Sequence, residues 1–432
     1  MANEGKLTRR VFLRHAGASA GAALAFPAIV PASSLGAPGR AAPSDRITLG
    51  FIGIGKQGEG HVRGLLRHRE VQVIGICEVY RKFRDMAVNM ARQAYAGRRG
   101  QGTYAGCKGY NDYREMLQRD DMDAVLIATP DHQHALPTLL AARAGMDVYC
   151  EKPMSLTIAE ARAMVRAVRR YGRVFQTGSQ QRSGREFRTA CELVRSGCIG
   201  EVKEVWVGVG GPSGPCYLPP QPVPDGLDWD RWLGPAPWRP FHEVLRPPHN
   251  QHFPNWRAYR DYSGGGMTDW GAHHFDIAQW GLGMDDSGPV EILPPNGGDV
   301  KYLTYVYANG VVMYRRDPGG ITFKGTEGEI WVNRGRLESR PARILAAQLK
   351  PTDVHLYRSP GHHNDWLQCI RRRRRPICDV EIGCRSVSVC HLGNIAYRLK
   401  RALKWDPAAE RFVNDPVANR MLSRPYREPW HL

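Results

Sequence analysis

A short apolar run, Ile47-Thr48-Leu49-Gly50-Phe51-Ile52-Gly53, passes at once into Gly53-Ile54-Gly55-Lys56-Gln57-Gly58, and a helical pattern follows from about Gly60 to His68. A strand, a Gly-x-Gly-x-x-Gly turn and a helix in direct succession leave few folds open to a chain. The glycines permit a tight turn and close backbone approach, and the helix N-terminus offers unpaired N–H groups to a pyrophosphate. Gly53, Gly55, Lys56, Gln57 and Gly58 are therefore candidates to hold a dinucleotide. Val71 to Cys77 reads as the next strand, and Glu78 closes it, twenty residues after Gly58. A carboxylate there suits the ribose hydroxyls and repels a 2′-phosphate, which favours NAD; Arg81 close behind keeps NADP open.

The alternation continues. Ala124 to Thr129, Asp147 to Cys150 and Val174 to Thr177 read as strands, separated by helices at Ala135 to Ala144 and Thr157 to Tyr171. A helix runs from about Arg81 to Tyr95, and a Gly-rich loop covers Gly97 to Gly109. This is the pattern of an α/β fold with a doubly wound, mostly parallel Rossmann sheet. After about Gln180 the texture changes to a helix near Glu186 to Arg195, alternating strands such as Val202 to Val209, and a Pro- and Trp-rich excursion from Gly210 to Trp256. Strands at Val300 to Tyr307 and Val311 to Arg315 turn on Asn309-Gly310, and helices at His363 to Arg372 and Ser386 to Ala402 close the chain. The expected division is 1–44 as signal and linker, 45–178 as Rossmann domain, and 179–432 as a C-terminal α/β domain. That second domain carries an open, mostly antiparallel sheet, and its final helices are free to pack back on the first.

In a doubly wound sheet the carboxyl ends of the strands line the ligand crevice. Thr129-Pro130, followed by Asp131-His132-Gln133-His134, ends one such strand, and Glu151-Lys152-Pro153 ends the next. Thr129, Pro130, His134, Glu151 and Lys152 are thereby placed beside the cofactor. His132 and His134 fit a helix start as well as a site. A Lys beside a bound nicotinamide can hydrogen-bond a substrate hydroxyl. Farther on, Gly264-Gly265-Gly266-Met267-Thr268-Asp269-Trp270-Gly271-Ala272-His273-His274-Phe275-Asp276 puts Asp269 and His273 one helical turn apart. A carboxylate on the same face can orient that His as a general base. Asp269, His273 and Asp276 alone do not complete a metal set, so no metal is expected. Tyr262, His274 and Trp256 are candidates to touch a substrate, and His362 to Trp366 could reach the same site.

The 432 residues carry a formal charge of +18, with 60 Lys and Arg against 42 Asp and Glu. The basic residues are scattered apart from Arg371 to Arg375, with no aromatic-interleaved basic module, so nucleic acid is not an expected partner. Ten cysteines show no C-x-x-C pair; Cys191 with Cys198, or Cys384 with Cys390, could each form a disulfide or stay as buried thiols. Thr8-Arg9-Arg10-Val11-Phe12-Leu13 precedes an Ala/Gly-rich apolar stretch, Ala16 to Val30, too short for a membrane span. This reads as a twin-arginine signal, which implies export to the periplasm or envelope as a folded protein without stable membrane insertion.

These motifs together resemble the Gfo/Idh/MocA oxidoreductases, in their bacterial, Tat-exported branch. The residues that carry the likeness are Gly53, Gly55 and Gly58, Thr129-Pro130, Glu151-Lys152-Pro153, and the Gly-rich loop leading to Asp269 and His273. The resemblance extends from Arg46 to the final helices. It implies Lys152, Asp269 and His273 in the catalytic positions, a nicotinamide cofactor, and a homo-oligomer, dimer or tetramer, built through the second sheet. The leading expectation is hydride exchange between a retained NAD(P) and a carbinol carbon of a sugar or cyclitol. The alternatives are a glycoside hydrolase acting by transient oxidation and a non-catalytic sugar- or dinucleotide-binding protein. Export favours a closed redox cycle, because little free NAD is present outside the cytoplasm to exchange.

Overall fold

The computed structural model describes residues 45–99, 105–316 and 319–432. The twin-arginine stretch, its linker and part of the Gly-rich loop after Gly97 lie outside them. Residues 47–432 form one unit.

Its first sheet has six parallel strands: β1 (Ile47–Ile52), β2 (Val71–Cys77), β3 (Lys108–Tyr110), β4 (Ala124–Ile127), β5 (Asp147–Cys150) and β6 (Phe175–Thr177). The order is β3-β2-β1-β4-β5-β6, so the winding reverses between β1 and β4. At this switch the two crossovers leave in opposite directions and open a crevice at the strand ends. Helices α1 (Lys56–Leu65), α2 (Arg81–Arg99), α3 (Ala135–Arg143) and α4 (Ile158–Arg170) follow β1, β2, β4 and β5. The strands read as unbroken apolar runs because both faces are covered: Leu49, Phe51, Val73, Val125 and Leu126 are all buried. Helix α4 starts with a capping box, in which Thr157 Oγ1 accepts from Glu160 N and the Glu160 carboxylate accepts from Thr157 N. This fixes the segment just after Lys152.

The helix α5 (Arg185–Arg195) leads into the second sheet, of nine strands. Its members are β7 (Val202–Gly208), β8 (Glu291–Leu293), β9 (Leu303–Val306), β10 (Val312–Arg315), β11 (Gly320–Gly325), β12 (Glu329–Asn333), β13 (Arg336–Arg340), β14 (Leu403–Asp406) and β15 (Arg411–Phe412). The order is β13-β12-β11-β7-β10-β9-β8-β14-β15, antiparallel except where β10 runs parallel to β7. β9 and β10 turn at Asn309-Gly310, where Gly310 takes φ +84°, a conformation a side chain would strain. Short strands such as β8, β13 and β15 have too few alternating residues to stand out in the sequence. The buried face, with Val205, Val207, Tyr305, Met313 and Phe323, packs against α6 (Gly266–Asp269), α7 (Gly271–Leu282) and α9 (Val380–Leu399). The other face carries Trp206, over whose ring Lys324 Nζ lies at 3.5 Å and the Arg316 guanidinium at 3.9 Å.

The last helices, α8 (His362–Arg372) and α9, return to the first sheet; Trp366 and Leu367 join its core. Arg162 of α4 donates to Glu381 of α9 (2.7 Å for each of two bonds) and to Glu410. Arg182, fully buried, bridges Asp276 and Asp285. All ten cysteines are free thiols, so neither candidate pair forms a disulfide. No described helix is long and apolar enough to cross a membrane.

Candidate active site

A cleft of about 380 Å³ runs from the Gly-rich turn across the ends of β1, β4 and β5 to α7. Gly53, Gly55, Lys56, Gln57, Glu78, Thr129, Pro130, Glu151, Lys152, Asp269, His273 and Trp256 all line it. The fingerprint glycines are used as the sequence implies. Gly53 has φ +90°, and a Cβ on Gly58 would stand 2.1 Å from the Gly53 carbonyl oxygen. Gly58 thus lets α1 start directly against the turn, though it faces the strand rather than the open cleft. At the far end, Glu78 accepts from Ile54 N at 2.6 Å and Tyr80 N at 2.9 Å, which ties the turn to the end of β2. Each carboxylate oxygen keeps a second lone pair for a ribose hydroxyl.

The sequence reading left Arg81 as the cation near this end, but Arg81 does not line the cleft. The cation there is Arg246, from the Pro/Trp-rich excursion. Its guanidinium lies 4.3 Å from the Phe83 ring centroid and 3.8 Å from Glu78, and its buried Nη2 has no hydrogen-bond partner. The excursion continues as a strap over the turn: Asn250 Nδ2 donates to Ile54 O at 3.0 Å, and Lys56 Nζ donates to Gln251 O. A glycine cradle, a carboxylate at the β2 end and a buried guanidinium with one unpartnered nitrogen fit a dinucleotide laid along the cleft.

At the other end Lys152 Nζ donates to Asp269 Oδ1 at 2.7 Å and to the Asp269 carbonyl at 2.9 Å. Arg257 Nε lies 3.5 Å from the same Oδ1, and its guanidinium sits 4.2 Å over the Trp256 ring. Burial opposes charge on Asp269, yet Lys152 and Arg257 outweigh it and hold the carboxyl below its ordinary pKa. The expectation that Asp269 orients His273 is therefore corrected. Trp270 interrupts the helix between α6 and α7, and two cations claim the carboxylate that a neutral imidazole cannot win. His273 is buried and its Nδ1 has no partner among the described residues. Burial first, then the charges of Lys152 and Arg334, press its pKa well below the usual histidine range, so the ring is neutral. Gln181, with its amide turned to satisfy both neighbours, donates to the His273 carbonyl at 3.1 Å and accepts from Arg334 Nε at 3.2 Å.

Three other candidates lie off the cleft. His134 points one ring nitrogen at Pro153 O (2.8 Å) and the other at Thr129 O (2.9 Å), so it braces the two strand-end loops and does not face a cofactor. His274 is tied to Gly208 O at 2.9 Å and, by burial, drops to about 4. Tyr262 is fully buried against His132 and Trp232. All three were placed by sequence proximity to a site, whereas their rings turn into the core. Asp276 belongs to the Arg182 bridge, and no group of metal-ligating side chains occurs among the described residues.

Asp131 is a cleft residue the sequence did not single out. It is fully buried, its Oδ2 lacks a partner, and burial raises it to about 7 against the opposing pull of Ser263 and Arg257.

A family model for the oxidoreductase family's NAD-binding Rossmann fold (Gfo/Idh/MocA) matches residues 47–179, and one for its C-terminal α/β domain matches 201–432. A glycosyl hydrolase family 109 protein of Shewanella baltica is 33% identical over 208 residues, 45% of this chain and 44% of that protein. The chain thus spans under half the length of such curated relatives. A 1,5-anhydro-D-fructose reductase of Ensifer adhaerens is 28% identical over 283 residues, 62% of this chain and 72% of that one. In fold, the chain resembles an aldose-aldose oxidoreductase of Caulobacter crescentus, with TM-score 0.56, 19% identity, and coverage of 83% of this chain and 99% of that one. With both domain models matched in series and the glycine turn, Glu78 and Lys152 set in one cleft, the chain belongs to the Gfo/Idh/MocA oxidoreductase family.

Proposed function

We propose that the protein exchanges a hydride between a retained NAD and a carbinol carbon of a sugar or cyclitol. The observation that carries this reading is Lys152, clamped by Asp269, in the same cleft as the dinucleotide cradle and the neutral His273. Bound NAD would supply the hydride acceptor; Gly53, Gly55, Glu78 and Arg246 would hold it. Lys152 donates a hydrogen bond to the substrate oxygen and steadies it as it gains negative charge. His273, uncharged before reaction, takes the hydroxyl proton. Asp269 aims Lys152, and Arg257 balances that carboxylate. Arg246 and Glu78, side by side, suit a 2′-hydroxyl, which favours NAD; NADP would have to displace their contact.

A second reading, glycoside cleavage through transient oxidation, is favoured by the family 109 relatives and by Asp131. Cleavage needs one acid or base more than hydride exchange, and a buried carboxyl with a pKa of about 7 is suited to that role. Export by the twin-arginine signal belongs to the same proposal: a folded protein that carries its NAD outward can run a closed cycle. Assembly through the open face of the second sheet, around Trp206 and Tyr302, completes it.

The test uses purified protein with no added NAD. Denaturation should release stoichiometric dinucleotide, and the intact sample should turn over a member of a panel of D-glucose, myo-inositol, 1,5-anhydro-D-fructose and p-nitrophenyl glycosides. Release of p-nitrophenol selects the hydrolase. An empty protein that needs added NAD(P) refutes retention. Replacing Arg9-Arg10 by Lys-Lys should keep a reporter fusion in the cytoplasm; unchanged export refutes the signal.

A further inference from the structure

Behind Lys152 the hydrogen bonds continue away from the cleft. Glu151 Oε1 lies 2.8 Å from His61 Nε2, and His61 Nδ1 lies 2.9 Å from His363 Nε2. Glu151 and His61 are buried, whereas His363, at the start of α8, is partly exposed. The chain therefore leads from a cleft-lining carboxylate to the surface through α1 and α8. Gln57 (3.2 Å) and Gln180 (2.9 Å) also donate to Glu151 Oε1, with the Tyr149 hydroxyl at 3.4 Å, and fix it in place. A structural ion pair needs one partner for Glu151. Here a second imidazole stands in line, and both ring nitrogens of His61 are used.

Resting on the hydride-exchange reading, we propose that Glu151, His61 and His363 form a proton relay between the reacting hydroxyl and solvent. On oxidation the carbinol loses a hydride to the nicotinamide and a proton from its hydroxyl. The O–H bond breaks and a His273 N–H bond forms. Burial makes this imidazolium costly, so it cannot store the proton. Glu151 and His273 line the same cleft, where a water or substrate hydroxyl completes the hand-over. The Glu151 O–H then gives its proton to His61 Nε2, His61 Nδ1–H gives one to His363 Nε2, and the remaining His363 nitrogen releases one to solvent, once an inward pass has set the tautomers. That inward pass starts from the resting array, in which the Glu151 carboxylate accepts from His61 Nε2–H and His61 Nδ1 accepts from His363 Nε2–H. Each proton moves one place toward the cleft to supply reduction, and solvent reprotonates the remaining His363 nitrogen. The outward pass restores the resting tautomers without a ring flip. A retained cofactor that is alternately reduced and reoxidised requires this alternation.

The groups that face the chain are Tyr149, His362, Lys152 and His273, with His68 acting on His363. Burial brings His362 to about 4, and burial with His61 brings His363 to about 3, so both are neutral acceptors at neutral pH.

The test has two arms on the NAD-loaded protein. In ¹⁵N-histidine NMR, Glu151→Gln should displace the ring-nitrogen signals of both His61 and His363 and leave His391, bonded to Ser155 O elsewhere, unmoved. If His363 ignores Glu151, the chain is not connected and the relay is wrong. With a sugar that turns over, His363→Gln should lower kcat about tenfold, leave KM and NAD content unchanged, and raise the solvent isotope effect; His363→Gly should recover with imidazole. His61→Gln should give the same loss without rescue. Connected NMR signals with wild-type kcat and isotope effect in both His363 variants would reduce the chain to a structural hydrogen-bond array and overturn the proposal. Wild-type protein inactive on every sugar defeats the oxidoreductase reading instead, and a His363 signal that ignores Glu151→Gln still refutes the relay by itself.

Discussion

Asp269→Asn isolates the aiming of Lys152 from everything else in the cleft. The substitution keeps the shape and an acceptor oxygen and removes only the charge, while the Lys152 bond to the Asp269 carbonyl at 2.9 Å survives. Lys152 stays charged in the variant, so the bond remains one to a charged group, worth about 1.5–3 kcal/mol, and loss of the carboxylate charge moves it from the upper toward the lower end of that range. The clamp should weaken by about 1–1.5 kcal/mol, close to a tenfold loss in kcat at about 1.4 kcal/mol per decade. The ceiling is the full Coulomb attraction, about 4 kcal/mol for charges 4 Å apart near a protein surface. Lys152 and Asp269 keep 18% and 24% of their side-chain surface exposed, so solvent pulls the value toward the lower figure. Single-turnover reduction of the retained dinucleotide, followed by nicotinamide absorbance, reads the step directly. Dinucleotide content and Tm measured on the same sample should stay at wild-type values. A rate within twofold of wild type would refute the clamp, as would a loss matched by missing dinucleotide.

The remaining expectations concern the frame around that step. Gly58→Ala drives a Cβ to 2.1 Å from the Gly53 carbonyl, so the turn must open; the variant should lose bound dinucleotide and several degrees of Tm, and normal NAD content would count against the cradle. Asp131 is raised in the folded state to about 7 from an unfolded value of about 3.9, so wild-type stability falls as pH rises between those values. Asp131→Asn removes this slope and should gain stability over the same window, by at most about 4 kcal/mol; parallel urea midpoints for both proteins at every pH would show the carboxyl is not buried uncharged. Glu381 behaves oppositely: burial would raise it, but Arg162 and Arg385 hold it down to about 2. Its contribution is complete above about pH 4.3 and disappears as pH falls toward 2. Glu381→Gln should therefore melt earlier at pH 7 and differ little from wild type near pH 2; an equal deficit at both pH values would assign the loss to packing.

What could be read from the sequence was what is local in the chain. The apolar strands, the glycine turn and Lys152 at a strand end each lie within a window of a few residues, and their positions follow from periodicity and the strand-end rule. Asp269 and His273 were found for the same reason, but their pairing was misjudged, because helical spacing takes no account of a Lys arriving from 117 residues away. His134, His274 and Tyr262 show a related failure: backbone position was right, side-chain direction was set by core contacts. Trp256, beside Arg257, and His362 to Trp366 were marked as able to reach the site, but nothing in those stretches names the partners that tertiary approach supplies, such as His61 for His363 across 302 residues, and Arg246 carries no local mark at all. Asp131 stayed hidden because what distinguishes it is burial, which no single residue letter reports.

The strap from Arg246 to Arg257 makes the second half of the chain a wall of the first half's binding groove. A dinucleotide in this groove would lie beside the bonds of Asn250 and Gln251 to Ile54 and Lys56, so opening of that segment would enter its dwell time together with the contacts of the fingerprint glycines. Loading is subject to the same gate. Because Trp366 and Leu367 complete the core of the first sheet, the groove and the segment around residue 250 that crosses it belong to one folding unit.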